Sequence, residues 1–149
     1  MLRFIYMYKA IVISLEDLKD DSNTKTASKI TQILNTVTKS DFVISVFVLK
    51  SLFSLTLPLS KHFQKVDSDL PEACSNVENI TDVIKKWRSN AEQEFSSIFS
   101  SAKSTLESVI SEITTPRASA RSVHNIPFNT AQEYYRMPTY ITVLDDSSA

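Results

Sequence analysis

The side chains that most often do chemistry are scattered along this chain. His62, Cys74 and His124 lie far apart and show none of the short ligand spacings of a zinc site. A serine nucleophile on a tight strand-to-helix turn needs neighbouring glycines, and the chain has none. The aspartate pairs fall in predicted turns and near the C-terminal end, where capping and solvation account for them. The sequence therefore predicts no catalytic residue, no metal ligand and no cofactor-binding residue, and we expect a protein that is not an enzyme.

One group near the C-terminal end does combine cations with aromatic rings. Arginines bind phosphate and aromatic rings stack on bases, so this group could contact nucleic acid. The same side chains could equally tie a loop to helix ends through carbonyl and carboxylate groups, and we favour that structural alternative. The residues that we name as candidate DNA or partner contacts are Arg117, Arg121, Tyr134, Tyr135 and Arg136, with His124 and Tyr140 nearby in the sequence.

Trp87 raises the same choice, because it stands between Lys86 and Arg88. A tryptophan flanked by cations could act as a stacking platform for a base. Its position on the apolar stripe of a predicted helix favours a core aromatic instead.

Composition restricts the elements that could position any of these residues. The chain has 149 residues, a net charge of −1 and 42% hydrophobic residues, which is typical of one globular domain. Glycine supplies the backbone freedom of tight hairpins and phosphate-binding loops, so its absence argues against hairpin folds, Rossmann fingerprints and P-loops. The near-neutral charge predicts no strong general attraction to nucleic acid or anionic membrane.

The longest periodic stretch runs from Asp69 to Ile113. Apolar residues recur there every third or fourth position, and neither glycine nor proline interrupts it after Pro71. A continuous helix of this length would extend for about 65 Å. The pattern predicts an all-α protein, an elongated helical bundle organised on this one long helix. Its apolar residues are Leu70, Ala73, Val77, Ile80, Ile84, Trp87, Ala91, Phe95, Ile98, Ala102, Leu106, Val109 and Ile113.

Three shorter helices are predicted before it, over residues 1–18, after the polar turn at 20–24, and over 41–57. The first could also be read as a signal peptide, although Lys9 interrupts its apolar run and no cleavage site follows. The third is apolar on nearly every side, which favours a helix buried in the core over a membrane span, because Lys50 lies in its middle. Pro58 is expected to end or kink this helix.

The organisation that we predict has two parts. Residues 1–113 form the helical domain. Residues 114–149 form a loop with Pro116 and Arg117, a short helix capped by Thr130 and Glu133, and a polar tail that starts at Asp145. Pro138 is expected to weaken the short helix.

Several runs of this sequence, in one order, resemble the transposase-like proteins of the hAT superfamily. The group concerned is described as 52 kDa repressor of the inhibitor of the protein kinase-like or zinc finger MYM-type protein 1-like. The matching runs lie at residues 8–18, 41–43, 56–65, 69–70, 87–88, 95, 116–117, 125–127, 130–136, 140–141 and 144–145.

The resemblance implies a definite place for this chain. In such proteins the region looks like a helical insertion within an RNase H-like catalytic core, with two catalytic acids before it and the third after it. No catalytic residue can then be carried over onto a position of this chain. The resemblance also implies an intracellular, nuclear protein that meets DNA through the parent protein.

Two functional hypotheses follow. The first is a non-catalytic fragment of a hAT transposase-derived protein, a helical module that supports a DNA-binding, RNase H-like core. The second is a stand-alone helical module that self-associates or pairs with a partner helix through its apolar stripe. Neither hypothesis includes a small-molecule ligand, and a membrane partner is the least favoured.

Overall fold

A computed structural model describes residues 2–64, 70–109, 113 and 130–148 of the chain. Within these ranges there are helices and no strand, which confirms the all-α prediction. The elements are α1 (Leu2–Asp20), α2 (Thr24–Val37), α3 (Ser40–Phe63), α4 (Leu70–Ser89), α5 (Ala91–Glu107), α6 (Ala131–Tyr135), a π-helical segment (Arg136–Ile141) and α7 (Thr142–Ser148).

The first two helices begin and end close to where the sequence predicts, because a polar turn separates their two apolar patterns. Asn23, in the predicted polar turn, caps α2 by accepting a hydrogen bond from the backbone N–H of Thr26 at 3.0 Å. The buried side of α1 carries Tyr8 and Val12. The hydroxyl of Tyr8 donates to the carbonyl of Val37 at 3.0 Å, which fastens α1 to the end of α2.

The single long helix predicted over Asp69–Ile113 is wrong, because the structure contains two helices, α4 and α5, separated at Asn90. The backbone of Asn90 leaves the helical region with φ −107° and ψ 28°. The apolar period continues in phase across this break, so periodicity alone does not reveal it. Asparagine is favoured at a helix start and mediocre inside a helix. A straight helix of about 65 Å would overrun α3, whose 24 residues span about 36 Å, and the break lets α4 and α5 both pack on α3.

Of the two effects expected of Pro58, an end or a kink, the end is wrong, since α3 continues to Phe63. By length and composition α3 could cross a bilayer. The first half of α3 lies instead in the protein core, among α1, α5 and the C-terminal segment. Its buried apolar residues are Val43, Ile44, Phe47, Val48 and Leu52.

The C-terminal segment also differs from the expectation of a short helix and a polar tail. Thr130 caps α6 as predicted, accepting from the backbone N–H of Glu133 at 3.1 Å. At Pro138, which has no N–H to donate, the helix widens into π geometry rather than stopping. α7 then runs to Ser148, because Leu144 is fully buried and the carboxylate of Asp145 binds the guanidinium of Arg88 at 2.6 Å.

Candidate interaction surface

Only part of the predicted cluster of cations and aromatic rings lies among the described residues. Arg117 and Arg121 lie outside the described residues, as does His124. Tyr134, Tyr135 and Arg136 follow one another across the junction between α6 and the π segment, so the structure brings these three together. The rings of Tyr134 and Tyr135 meet edge to face, with 5.1 Å between their centroids.

Tyr135 faces the core rather than solvent. Its ring is buried, and its hydroxyl forms side-chain hydrogen bonds with Asp41 and Ser40 at the start of α3. Burial raises the pKa of Tyr135 well above its ordinary value, and the neighbouring Asp41 carboxylate raises this pKa further. In this position Tyr135 joins the C-terminal segment to α3 and has no free face on which a base could stack.

Arg136 and Tyr140 also face the rest of the protein, and both contact α5. A guanidinium nitrogen of Arg136 lies 3.4 Å from a carboxylate oxygen of Glu92, the second residue of α5. The ring of Tyr140 packs 5.4 Å from that of Phe95. Burial raises the pKa of Tyr140 to about 12, with a smaller contribution from Glu94. Three side chains of the cationic and aromatic group (Tyr135, Arg136 and Tyr140) therefore hold helices together.

The other described residues weighed for chemistry lie on α3 and α4. Trp87 is half-buried against the core, and Cys74 is exposed on α4. Nδ1 of His62 lies 3.9 Å from a carboxylate oxygen of Glu72. Among the described residues no three His, Cys, Asp or Glu side chains are grouped closely enough to hold a metal ion.

A different surface emerges where the second half of α3 runs beside α4. We call this pair of segments, residues 53–63 of α3 and 70–83 of α4, the arm. The two helices are antiparallel, since Nδ1 of His62 approaches Glu72 at one end while Leu55 and Val83 border a common groove at the other. Only two residues of the arm, His62 and Ala73, are buried.

The arm exposes large apolar side chains, although the sequence pattern predicts that four of them, Phe53, Leu57, Leu70 and Val77, lie inside. Among the described residues eleven such side chains are exposed, and five of them belong to the arm. Leu70 is the most open of these five, at 71% exposure. The five are Phe53, Leu57, Phe63, Leu70 and Val77.

A groove of about 450 Å³ separates the two helices of the arm. Its walls are mainly apolar, and His62 closes one end with a buried Nε2 that has no hydrogen-bond partner among the described residues. The groove shows that α3 and α4 do not close tightly on each other, so the arm keeps apolar surface both on its outside and in its cleft. The lining residues are Leu55, Pro58, Leu59, Lys61, His62, Asn76, Asn79, Ile80 and Val83.

The placement of the lysines on α3 is the one signal in the sequence that could have pointed to this surface. Phe53 and Leu57 share a helical face with Lys50 and Lys61, four residues at spacings of three, four and four. A face that begins and ends with lysine is not typical of a helix buried on all sides, because unpaired charge is costly to bury.

Comparison with known proteins yields no relative: no family model, no curated protein and no solved structure matches this chain.

Proposed function

We propose that this chain is a non-catalytic helical docking module, in which a packed core holds the arm against the surface of another protein. The observation that carries the proposal is the arm itself, where five large apolar side chains stand in solvent on 25 residues with only two buried. A concentration of exposed apolar side chains in one part of a protein indicates an interaction site, since a monomer gains nothing from leaving them in water.

The resemblance to hAT transposase-like proteins suggests which surface the arm meets. In that reading the chain is the helical insertion of a transposase-derived protein in the nucleus, and the arm packs on its RNase H-like core. Contact with DNA then belongs to the parent protein. The inward-facing Tyr135 and the Arg136–Glu92 ion pair support this division, because they use the predicted cationic and aromatic side chains for internal packing.

Self-association is a second candidate function. It is favoured by a separate exposed apolar group on α1, where Tyr6, Met7 and Ile13 all face solvent. Tyr6 and Ile13 are seven residues apart, so they lie on one helical face and could meet the same face of a second copy.

The test of the docking function begins by sequencing the full-length transcript for coding segments that flank this chain. The flanking segments are expressed as a separate chain and co-purified with this one. We expect the pair to bind, and the double variant F53S/L57S to lose at least about tenfold in affinity, since each serine removes an apolar contact worth about 1.5–3 kcal/mol if fully buried.

A matched control comes from exposed apolar residues elsewhere. Leu18 and Ile33 are 55% and 49% exposed, close to the 53% and 49% of Phe53 and Leu57. The variant L18S/I33S should keep full binding. Equal binding by both double variants would refute the role of the arm. A mass that rises with concentration in light scattering, and falls in Y6S/I13S alone, would instead support self-association through α1.

A further inference from the structure

One face of α3, which continues from residue 50 onto the arm, carries side chains whose order restricts the choice of a partner. Lys50, Phe53, Leu57 and Lys61 follow one another at helical spacing, and we call these four residues the α3 stripe. Phe53, Leu57 and Lys61 are exposed and Lys50 is half-buried. The stripe is therefore an apolar pair with one ammonium group beyond each end.

The charges of the two lysines are not neutralised along their own helix. The sequence contains no aspartate or glutamate from residue 42 to residue 64. Neither lysine forms an ion pair within the described part of the chain, where the four observed pairs involve His62, Arg88, Lys103 and Arg136. The ammonium group of Lys50 rests 5.4 Å from the ring centroid of Phe47, so its contact is with an aromatic ring rather than with a carboxylate.

This charge order argues against two simple partners. In a twofold dimer built on the stripe, Phe53 would meet Leu57 of the second copy, and Lys50 would then face the second copy's Lys61, so that like charges meet at both ends. Attraction to an anionic membrane contributes only about 1 kcal/mol of binding free energy for each lysine near the membrane surface. A broad anionic surface would also meet the acidic residues Glu72 and Glu78 on the adjacent helix of the arm, whereas a single helix can lie on the α3 stripe alone.

We infer that the α3 stripe docks an acidic amphipathic helix of another protein, with apolar residues at its centre and a carboxylate at each end. Lys50 and Lys61 are eleven residues apart, so the two carboxylates should stand about 16 Å, or three helical turns, from each other. Apolar anchors on a helix face provide affinity, and the flanking charges select the partner and its register. This inference rests on the proposed docking function and adds the chemistry of the partner.

The experiment uses the full chain and two synthetic helical peptides of eighteen residues. Both carry two central leucines four positions apart, and one has glutamate and the other lysine at two positions eleven residues apart on the same face. Fluorescence anisotropy at low and at high salt measures the affinity of each. We expect the glutamate peptide to bind at least about tenfold more tightly, and this preference to shrink as salt screens the charges.

Charge reversal provides the internal control. The variant K50E/K61E should prefer the lysine peptide, and F53S/L57S should lose affinity for both peptides while circular dichroism shows an unchanged helix content. Equal binding of the two peptides by the natural chain, or binding of neither, would overturn the inference. Binding to phosphatidylserine vesicles that K50E/K61E abolishes would overturn it in favour of a membrane surface.

The two proposals fail in different ways. If co-purification with the flanking segments depends on Phe53 and Leu57 but survives K50E/K61E, the docking function stands and the acidic partner is wrong. If co-purification is indifferent to F53S/L57S, the docking function itself is wrong.

Discussion

The two halves of α3 have similar compositions and opposite surroundings. In the first half Ile44 and Val48 are almost completely buried, whereas in the second half Phe53 and Leu57 are about half exposed. The difference lies in their neighbours, because α1, α5 and the C-terminal segment pack around the first half and α4 lies beside the second. Composition therefore determines that α3 is a helix, and tertiary packing decides which half is core and which half is surface.

Replacing one phenylalanine of the core and one of the arm with alanine should give the largest difference in the free energy of unfolding. Phe95 is fully buried between Phe99 and Tyr140, so F95A should reduce the free energy of unfolding by about 3–5 kcal/mol. Phe53 is half exposed, and F53A should cost less than about 1 kcal/mol. Urea unfolding followed by circular dichroism measures both. Similar losses for the two variants would show that the arm is packed as tightly as the core.

The same contrast can be drawn between two leucines, and this pair tests the C-terminal helix. Leu144 is fully buried although it lies just before the expected polar tail. L144A should cost about 2–5 kcal/mol in urea unfolding, because it leaves a cavity against the rest of the core. L57A on the arm is the matched control and should change stability by less than about 1 kcal/mol. An unchanged free energy of unfolding in L144A would mean that α7 does not contribute to the core.

The hydroxyl groups of two buried tyrosines, Tyr135 and Tyr140, allow a comparison within the core itself. Y135F removes a hydroxyl that bonds to Asp41 and Ser40, and should cost about 1–3 kcal/mol because the buried Ser40 side chain loses its partner and the exposed Asp41 carboxylate loses a hydrogen bond. The buried hydroxyl of Tyr140 has no partner among the described residues, so Y140F should be neutral or stabilising. Thermal unfolding at pH 7 measures both. If the two variants lose the same stability, the hydrogen bonds of Tyr135 contribute nothing.

These buried tyrosines also predict how stability responds to alkali. Burial raises the folded-state pKa of Tyr140 to about 12, while the unfolded value is about 10. The folded state then retains a proton that the unfolded state releases, so stability should be complete below pH 10 and fall by roughly 2–3 kcal/mol between pH 10 and 12. Unfolding in urea at stepped pH measures this slope. Y140F should reduce it, and an unchanged slope would remove Tyr140 as its source.

The smallest expected effect on stability comes from an ion pair between α4 and α7. Arg88 of α4 binds Asp145 of α7 in an ion pair whose two side chains are each about half exposed. D145N should cost no more than about 1 kcal/mol, and this cost should shrink in 1 M salt because exposed pairs are screened. A loss that is larger, or that is independent of salt, would show that the pair does more than an ordinary surface contact.

Much of the fold follows from local sequence, and the errors of prediction have physical causes. The apolar period identifies α2 and the helical character of α4 and α5, and the caps at Asn23 and Thr130 appear where polar residues precede a helical pattern. The break at Asn90 escapes prediction because the apolar stripe stays in phase through it. Pro58 and Pro138 are local signals for helix ends, yet α3 continues through Pro58 and the C-terminal segment continues through Pro138 in π geometry.

The candidate site is less predictable than the fold. Tyr135 and Arg136 stand out in the sequence as neighbours, but only tertiary structure shows that they face Asp41 and Glu92, which lie far away in the sequence. The arm escapes prediction because a helix that is apolar on nearly every side predicts burial, and only the placement of the two lysines of the α3 stripe signals in the sequence that the second half of α3 lacks the neighbours that cover the first.

The burial of Leu144 in the same core as Ile44 also has a consequence for synthesis on the ribosome. One hundred residues separate these two positions, and at about 5–20 residues per second the chain needs roughly 5–20 s to make them. During that interval the most hydrophobic helix of the protein is present without its last covering segment. We therefore expect nascent chains to depend on chaperones that bind exposed apolar helices, until translation delivers the residues that cover the core.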